Sequence, residues 1–359
     1  MDDVLILGGA GTGLIDIVSD YESIIWTVQF YGLSEFQLIV PATVENVSKL
    51  QIGRYLCRSS DETATKFKNV MIIENLQMDF DSEKGWLLTV TGRGLKSIVS
   101  RRIIWNQISV ENTLIIGLIS RVISENVTVS GNRKLFDMLL EYNASDFTEK
   151  ADAQLFGENV ADWMTNVCQT YGYGWDVTIA KSSTYYRMEI YKGTDRTTSQ
   201  NVNLPVIFSP EFDNLLTATY QIYKSNFANA ALVGGEGEGT SQRTASVGTA
   251  TGLNRFEKYV DGSGVSSNGE IITLATYTKM LQEFGQLQLS ESKNVETLSG
   301  DIDSNGVYKI NRDFFLGDIV EVDTNKGVSA NARIIEIIYS TDSEGVSVIP
   351  TFSEMEVTQ

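Results

Sequence analysis

The chain has 359 residues, with 28 lysines and arginines against 46 aspartates and glutamates, and it contains no histidine. That length, with 42% hydrophobic residues, suits about two to four folded domains. Lacking histidine, the chain is excluded from Ser-His-Asp and Cys-His nucleophile chemistry and from His-ligated metal sites. Its formal charge of −18 repels phosphate backbones and argues against tight binding of DNA or RNA.

The elements follow in chain order. Val4–Ile17, VLILGGAGTGLIDI, evokes a dinucleotide-binding turn, but the spacing fails because Leu14 stands where the last glycine of G-x-G-x-x-G would fall. A glycine-rich strand–turn–strand is the better reading. Ile24, Trp26, Val28 and Phe30 alternate with their neighbours, Gly32-Leu33-Ser34 turns the chain, and Phe36, Leu38 and Val40 alternate again up to Pro41. That is the period of two expected of a hairpin. A second hairpin joins Asn69–Phe80 to Gly85–Thr91. Leu114, Ile115, Leu118, Ile119 and Val122 recur at helical steps. A helix is expected around Ala153–Tyr171, ended by Gly172 and Gly174, and strands at Trp175–Ala180 and Tyr185–Tyr191 follow it. Beyond Pro205, strands are expected near Val206–Ser209, Leu216–Ser225 and Asn229–Val233. Gly234–Gly252 reads as a mobile polar loop, followed by a strand at Asn254–Tyr259. Leu274, Tyr277, Leu281, Phe284 and Leu287 mark a helix. The tail returns to sheet at Asp318–Val322, Ala330–Tyr339 and Val346–Phe352.

Few side-chain groupings point to chemistry. Lys96, Arg101 and Arg102 are the main concentration of positive charge, and without interleaved aromatics they read as a solvated edge. Cys57 and Cys168, far apart and without CxxC spacing, read as small buried hydrophobes. Asp301, Asp303 and Asn305, with Gly306, match the first half of a calcium loop. The twelfth position, however, is Arg312, a cation where a bidentate glutamate belongs. A turn is expected there, with a strand at Val307–Asn311. Glu236 and Glu238 sit among glycines, which gives neither the rigidity nor the environment that acid/base work on a glycoside requires. No catalytic, cofactor or metal residue is assigned. The start, Met1-Asp2-Asp3, lacks the basic region of a signal peptide. No apolar run approaches the roughly 18 residues of a membrane span.

One resemblance covers most of the chain. Asp20, Tyr21, Ser23, Ile25-Trp26-Thr27, Phe36, Leu38 and Pro41-Ala42 resemble the opening of tail-hub proteins from phages and prophages of Gram-positive bacteria. Leu95–Arg102 with Thr113–Ile119, Tyr191–Thr194 with Ile207–Asn214, and Leu232–Gly239 are also similar, in the same order. Leu316-Gly317-Asp318-Ile319-Val320 and Ala332-Arg333-Ile334-Ile335-Glu336 resemble the closing Gly-Asp-x-Val strand pair of that family.

The resemblance implies an α+β, mainly β fold: two β-barrel-like tail-tube domains, residues 1–125 and 206–359, flanking an α+β insertion at 126–205. It implies a homotrimeric structural virion protein, made in the host cytoplasm, that fits a threefold tip to a sixfold tube and lines the path of ejected DNA. Its partners would be further copies of itself, a distal tail or tail-tube protein and other tail-tip proteins, with no cofactor and no membrane insertion. Because the chain stops soon after its last expected strand, no appended wall-degrading module is expected. The alternatives are a carbohydrate-binding tail-tip module that uses exposed Trp and Tyr, and a wall-degrading enzyme that uses carboxylates such as Glu236 and Glu238.

Overall fold

The computed structural model describes residues 2–129, 131–269, 271–292, 295–303, 306–327, 329–343 and 345–357. Its frame is one large, mostly antiparallel sheet that draws strands from both ends of the chain. From one edge, its order is Thr219–Tyr223, Val295–Ser299, Gly345–Val357, Ser329–Asp342, Ser23–Gln29, Glu35–Pro41, Gly85–Gly94, Met71–Asp81, Tyr55–Arg58, Val4–Leu7 and Leu14–Val18. Ile319–Asp323 pairs with Ser329–Asp342, and Ile207–Phe208 pairs in parallel with Ile319–Asp323.

The expected hairpins form where the period of two placed them. Ser23–Gln29 turns its even-numbered Ile24, Trp26 and Val28 into the core, and its partner Glu35–Pro41 does the same with Phe36, Leu38 and Val40. Ser34 takes the left-handed turn at φ 57°, and its Oγ accepts the Gln29 N–H at 3.1 Å. Val4–Leu7 and Leu14–Val18 pair directly, so the glycine-rich segment is the strand–turn–strand its spacing predicted.

The joint between the chain's ends is made by Ser329–Asp342 lying antiparallel on Ser23–Gln29, with Ile337 opposite Val28 and Tyr339 opposite Trp26. Beneath it, Trp26, Leu38, Val90, Phe208, Phe314, Ile334 and Phe352 belong to one buried cluster. A second core gathers helix α2 (Ile115–Asn126), helix α3 (Val160–Tyr171) and the hairpin Gly174–Ala180/Tyr186–Tyr191. A third, small core lies between Ala230–Gly234, its neighbouring strands and helix α4 (Leu274–Ser290). The short helix α1 (Val44–Lys49) caps the second strand of the first hairpin.

The fold is mainly β with four α-helices among the described residues. The great sheet ends in two edge strands, Leu14–Val18 and Thr219–Tyr223, each paired on one side within the sheet. No closed barrel is found among the described residues.

Several local expectations need correction. The helix around Ala153–Tyr171 begins only at Val160, because Gly157 turns left-handed at φ 80° and Asn159 caps the helix by accepting the Ala161 N–H at 2.9 Å. Residues Lys150–Leu155 instead form a strand on Ile108–Leu114. Gly234–Gly252 is not loop throughout: Thr244–Val247 pairs antiparallel with Ala230–Gly234. Val307–Asn311 is not a strand, since Asn311 turns at φ 61° and the Lys309 N–H is bound by the Asp313 carboxylate at 2.7 Å.

Trp26 is fully buried at the joint, so Trp26→Ala is expected to lower unfolding free energy by about 3–5 kcal/mol. Urea unfolding followed by circular dichroism checks this. A loss below about 1 kcal/mol would show that the joint does not govern stability.

Candidate functional site

A sheet with one face packed on a core leaves its other face for solvent or a partner. Across the joint that outer face is continuous. One row of opposed residues runs Ser347, Ser340, Ile25, Gln37, Thr91 and Asn75. The next holds Ile349, Ile338, Thr27, Glu35 and Arg93, beside Thr351, Glu336 and Gln29. Amides and hydroxyls dominate and bond laterally: Gln29 donates to Glu336 at 2.8 Å, and Asn75 to Thr91 at 3.4 Å. Arg93 is neutralised by a bidentate pair with Glu74 at 2.7 and 2.8 Å. Glu35, Glu336 and Asp79 leave the face net negative. Its middle is a broad depression of 700 Å³ floored by Ile25, Thr27, Gln37 and Thr91. Such a wall offers a polyanion no cationic foothold.

Below this face, the second core is bolted to the sheet. Gly193 lies so close to Gly317 that an added Cβ would sit 1.7 Å from the Gly317 oxygen. Gly317 itself turns at φ +94°, and its own Cβ would meet the Phe30 ring at 2.2 Å. Asp318, 2% exposed, accepts the Thr194 N–H at 2.8 Å, the Arg196 Nε–H at 2.6 Å and the Phe315 N–H at 3.0 Å. Backbone bonds reinforce the seam, Ile319 N–H to Thr194 O at 3.0 Å and Arg196 N–H to Ile319 O at 2.8 Å. The Gly-Asp-x-Val motif thus acts as a clamp. Its glycine permits close approach, and its aspartate satisfies donors that burial would otherwise leave unpaired.

Lys96 is the second bolt, and it corrects the expectation of a solvated basic edge. It is 2% exposed and donates to the carbonyls of Gln29 at 2.7 Å and Trp175 at 3.1 Å. Burial pulls its ammonium down to about 8. Asp176, whose partly exposed edge lines a 320 Å³ cavity with Asn69, Tyr191 and Asp318, is pushed up to about 6 by burial, against the pull of Lys96 and of the Asn69 N–H. The low-dielectric junction therefore opposes both charges.

The other sequence candidates are not brought together. Glu236 accepts from Ser266 Oγ at 2.8 Å and Ser267 N–H at 2.7 Å and pairs with Arg243 at 3.6 Å. The Ser267 bond holds its carboxyl below the usual range, so it serves as a tether while Glu238 stays exposed. Asp301 accepts from Ser347 Oγ at 3.2 Å, and Asn305 lies outside the described residues. No cluster with metal-ligand composition occurs among the described residues. Cys57 and Cys168 are free and buried, and burial pushes the Cys168 thiol up to about 12. No described helix is long and apolar enough to cross a membrane. The sequence reading missed the outer sheet face. The alternation that marked Ile24, Trp26 and Val28 as core also marked Ile25, Thr27 and Gln29 as its opposite, and only the strand order was lacking.

Known proteins share this architecture. The family model described as Siphovirus ReqiPepy6 Gp37-like protein matches residues 10–352. The structure is similar to the prophage MuSo2 43 kDa tail protein from Shewanella oneidensis, at 12% identity and TM-score 0.60, covering 98% of each chain. It is also similar to a tail protein from Neisseria meningitidis MC58, at 14% identity and TM-score 0.57, covering 98% of this chain and 96% of that one. The prophage tail protein gp18 from Listeria monocytogenes EGD-e aligns at 11% identity and TM-score 0.54, covering 99% and 94%. No curated protein matches.

Because the folded chain holds the Asp176 proton more tightly than the unfolded chain does, this group stabilises below about pH 4. That contribution is lost as pH rises through about 6. Asp176→Asn is expected to flatten the fall in urea midpoint between those values. An unchanged slope in the variant would refute the assignment.

Proposed function

The chain belongs to the Siphovirus ReqiPepy6 Gp37-like family, and from that premise we propose that it is the hub of a phage tail tip. Three copies close a ring whose channel is lined by the outer sheet face, and DNA leaves the particle through it. The observation that carries this reading is that face itself. It is continuous across strands from both ends of the chain, bare on its outer side, and built from amides and hydroxyls with a net negative balance.

Residues 1–125 and 206–359 act as the two tube-like halves of each copy, so that three copies present six strand groups to a sixfold tube. Residues 126–205 form the insertion, held to the second half by Asp318 and to the first by Lys96, which donates to the Trp175 carbonyl. A ring of three requires a heterologous interface whose rotation closes. The role is structural: the carboxylates singled out in the sequence are tethers or stand exposed, and the partners are copies of the chain and neighbouring tail proteins. The enzyme reading lacks an equivalent support, and the binding-module reading keeps only Trp86 and Trp105 as exposed tryptophans, since Trp26, Trp163 and Trp175 are core residues.

Light scattering across a concentration series tests ring formation. Three copies of the 39.7 kDa chain give about 119 kDa, and a stable dimer would overturn the threefold reading because a closed twofold pair leaves no route to a ring. The wall chemistry has its own test. The native chain is expected to show no DNA retention at about 150 mM salt, whereas the double variant Gln37→Lys/Thr91→Lys gains salt-sensitive retention. Strong DNA binding by the native chain would defeat the channel reading.

A further inference from the structure

The hairpin Met71–Asp81/Gly85–Gly94 runs past the core. Its first strand is buried at Met71, Ile72 and Ile73, and from Asn75 onward every residue is exposed. A bulge between Ile73 and Asn75 sets the register of this overhanging arm. One face carries Leu76, Met78, Phe80 and Trp86, with Phe80 64% and Trp86 55% exposed and their rings 5.4 Å apart. Asp81 shapes the tip by accepting the N–H groups of Glu83 and Lys84, both at 2.8 Å, which leaves Glu83 as an outward carboxylate. Leu88 and Val90 on this face are buried in the core, but toward the tip Leu76, Met78, Phe80 and Trp86 form an exposed apolar strip, and such a strip calls for a partner.

At the far end of the same strand lies the complementary surface. Beyond Gly94 the chain turns through Leu95–Arg101 into an open cleft of 530 Å³ lined by Arg101, Arg102, Ile103, Trp105, Asn132 and Arg133. No carboxylate lines it, and none of the three arginines forms an ion pair with a described carboxylate. In a chain of net charge −18 that is a local reversal of sign. Internal bonds fix its shape: Arg102 Nε donates to the Arg133 carbonyl at 2.6 Å, Arg133 donates to the Ile103 carbonyl at 3.1 Å, and Arg133 stacks on the Trp105 ring at 4.8 Å. Trp105 is 58% exposed, so the cleft pairs cations with apolar surface just as the arm pairs a carboxylate with aromatic rings.

We propose that the occupant of this cleft is the arm of a second copy of the chain, Phe80 and Trp86 packing on Trp105 and Ile103 while Glu83 at the tip meets Arg101 and Arg133. Two different patches, opposite in sign and set at the two ends of one hairpin, supply the heterologous contact that a closing rotation requires. The contact also discharges, at each interface, part of the repulsion between copies that each carry −18. The proposal rests on the ring reading and gives it a named interface.

A photo-crosslinking residue at position 80 (Phe80→p-benzoylphenylalanine) in the full chain tests it, with the mass of the assembly measured on the same sample. Crosslinks from position 80 into residues 101–105 or 132–133 of another copy are expected. An assembled trimer whose crosslinks land elsewhere overturns the interface and leaves the ring standing. A chain that stays monomeric at every concentration overturns self-driven ring closure and this contact together. The charge pair is checked separately. Arg101→Glu is expected to weaken association roughly tenfold, and Glu83→Lys on the same chain to restore most of it. Additive losses in the double variant would refute the pairing. Because both side chains are exposed, the fold is left intact, and circular dichroism verifies this.

Discussion

The structure depends on one strand pairing between residues about as far apart as the chain allows. Ser329–Asp342 closes on Ser23–Gln29, and without it the sheet would be two sheets, each with an exposed apolar face. The entropy of bringing such distant segments together must be met before the contact rewards it. The reward is concentrated for that reason. Trp26, Phe208, Phe314 and Phe352, large and fully buried, share the core directly beneath the joint, and an unpaired tail strand would strip cover from all of them.

The insertion is held by polar chemistry at glycine-thinned seams, a different solution from the apolar joint. Gly174, Gly193 and Gly317 let backbones approach where a Cβ would collide with Phe30 or with a carbonyl. Once backbones are that close, their N–H groups lose water and need partners. Asp318 accepts such N–H groups at one seam, and at the other Lys96 donates to the carbonyls of Gln29 and Trp175. Buried ions are costly unless each is well satisfied, which is why the two bolts take three donors and two carbonyls respectively. A seam of this kind favours one docking angle over its neighbours, because a shift of an ångström would leave an ion unpaired. In the proposed ring of identical copies, a fixed angle would matter more than added stability.

Much of the strand plan was legible because a half-buried strand writes its burial into alternate residues. Ile24/Trp26/Val28 and Phe36/Leu38/Val40 could be placed from spacing alone, as could helices α2, α3 and α4. What spacing could not show was which distant strand lies beside which. The outer face therefore stayed invisible although each of its residues was in plain view. Lys96 was misread for a related reason: a lysine in a polar sequence neighbourhood reads as solvated, and its burial arises from Gln29 and Trp175, both remote in sequence. Thr244–Val247 was lost in a glycine- and serine-rich stretch because its pairing partner, and not its own composition, makes it a strand.

The chemistry of the outer face also refines what a wall facing DNA requires. A densely acidic wall would repel the polyanion but would repel neighbouring copies as well, and each copy already carries a net charge of −18. Amides and hydroxyls avoid that conflict. They hold water through both donors and acceptors, bond to one another laterally as Gln29 does to Glu336, and present no fixed cation for phosphate. In the proposed ring a few carboxylates would then suffice to set the sign of the potential, since clefts with low-dielectric walls focus the field. The one arginine of the described rows, Arg93, is cancelled on the spot by Glu74, as that economy demands. In the proposed ring, Arg101, Arg102 and Arg133 stand instead beyond the end of the strand, where a neighbouring copy, and not DNA, would meet them.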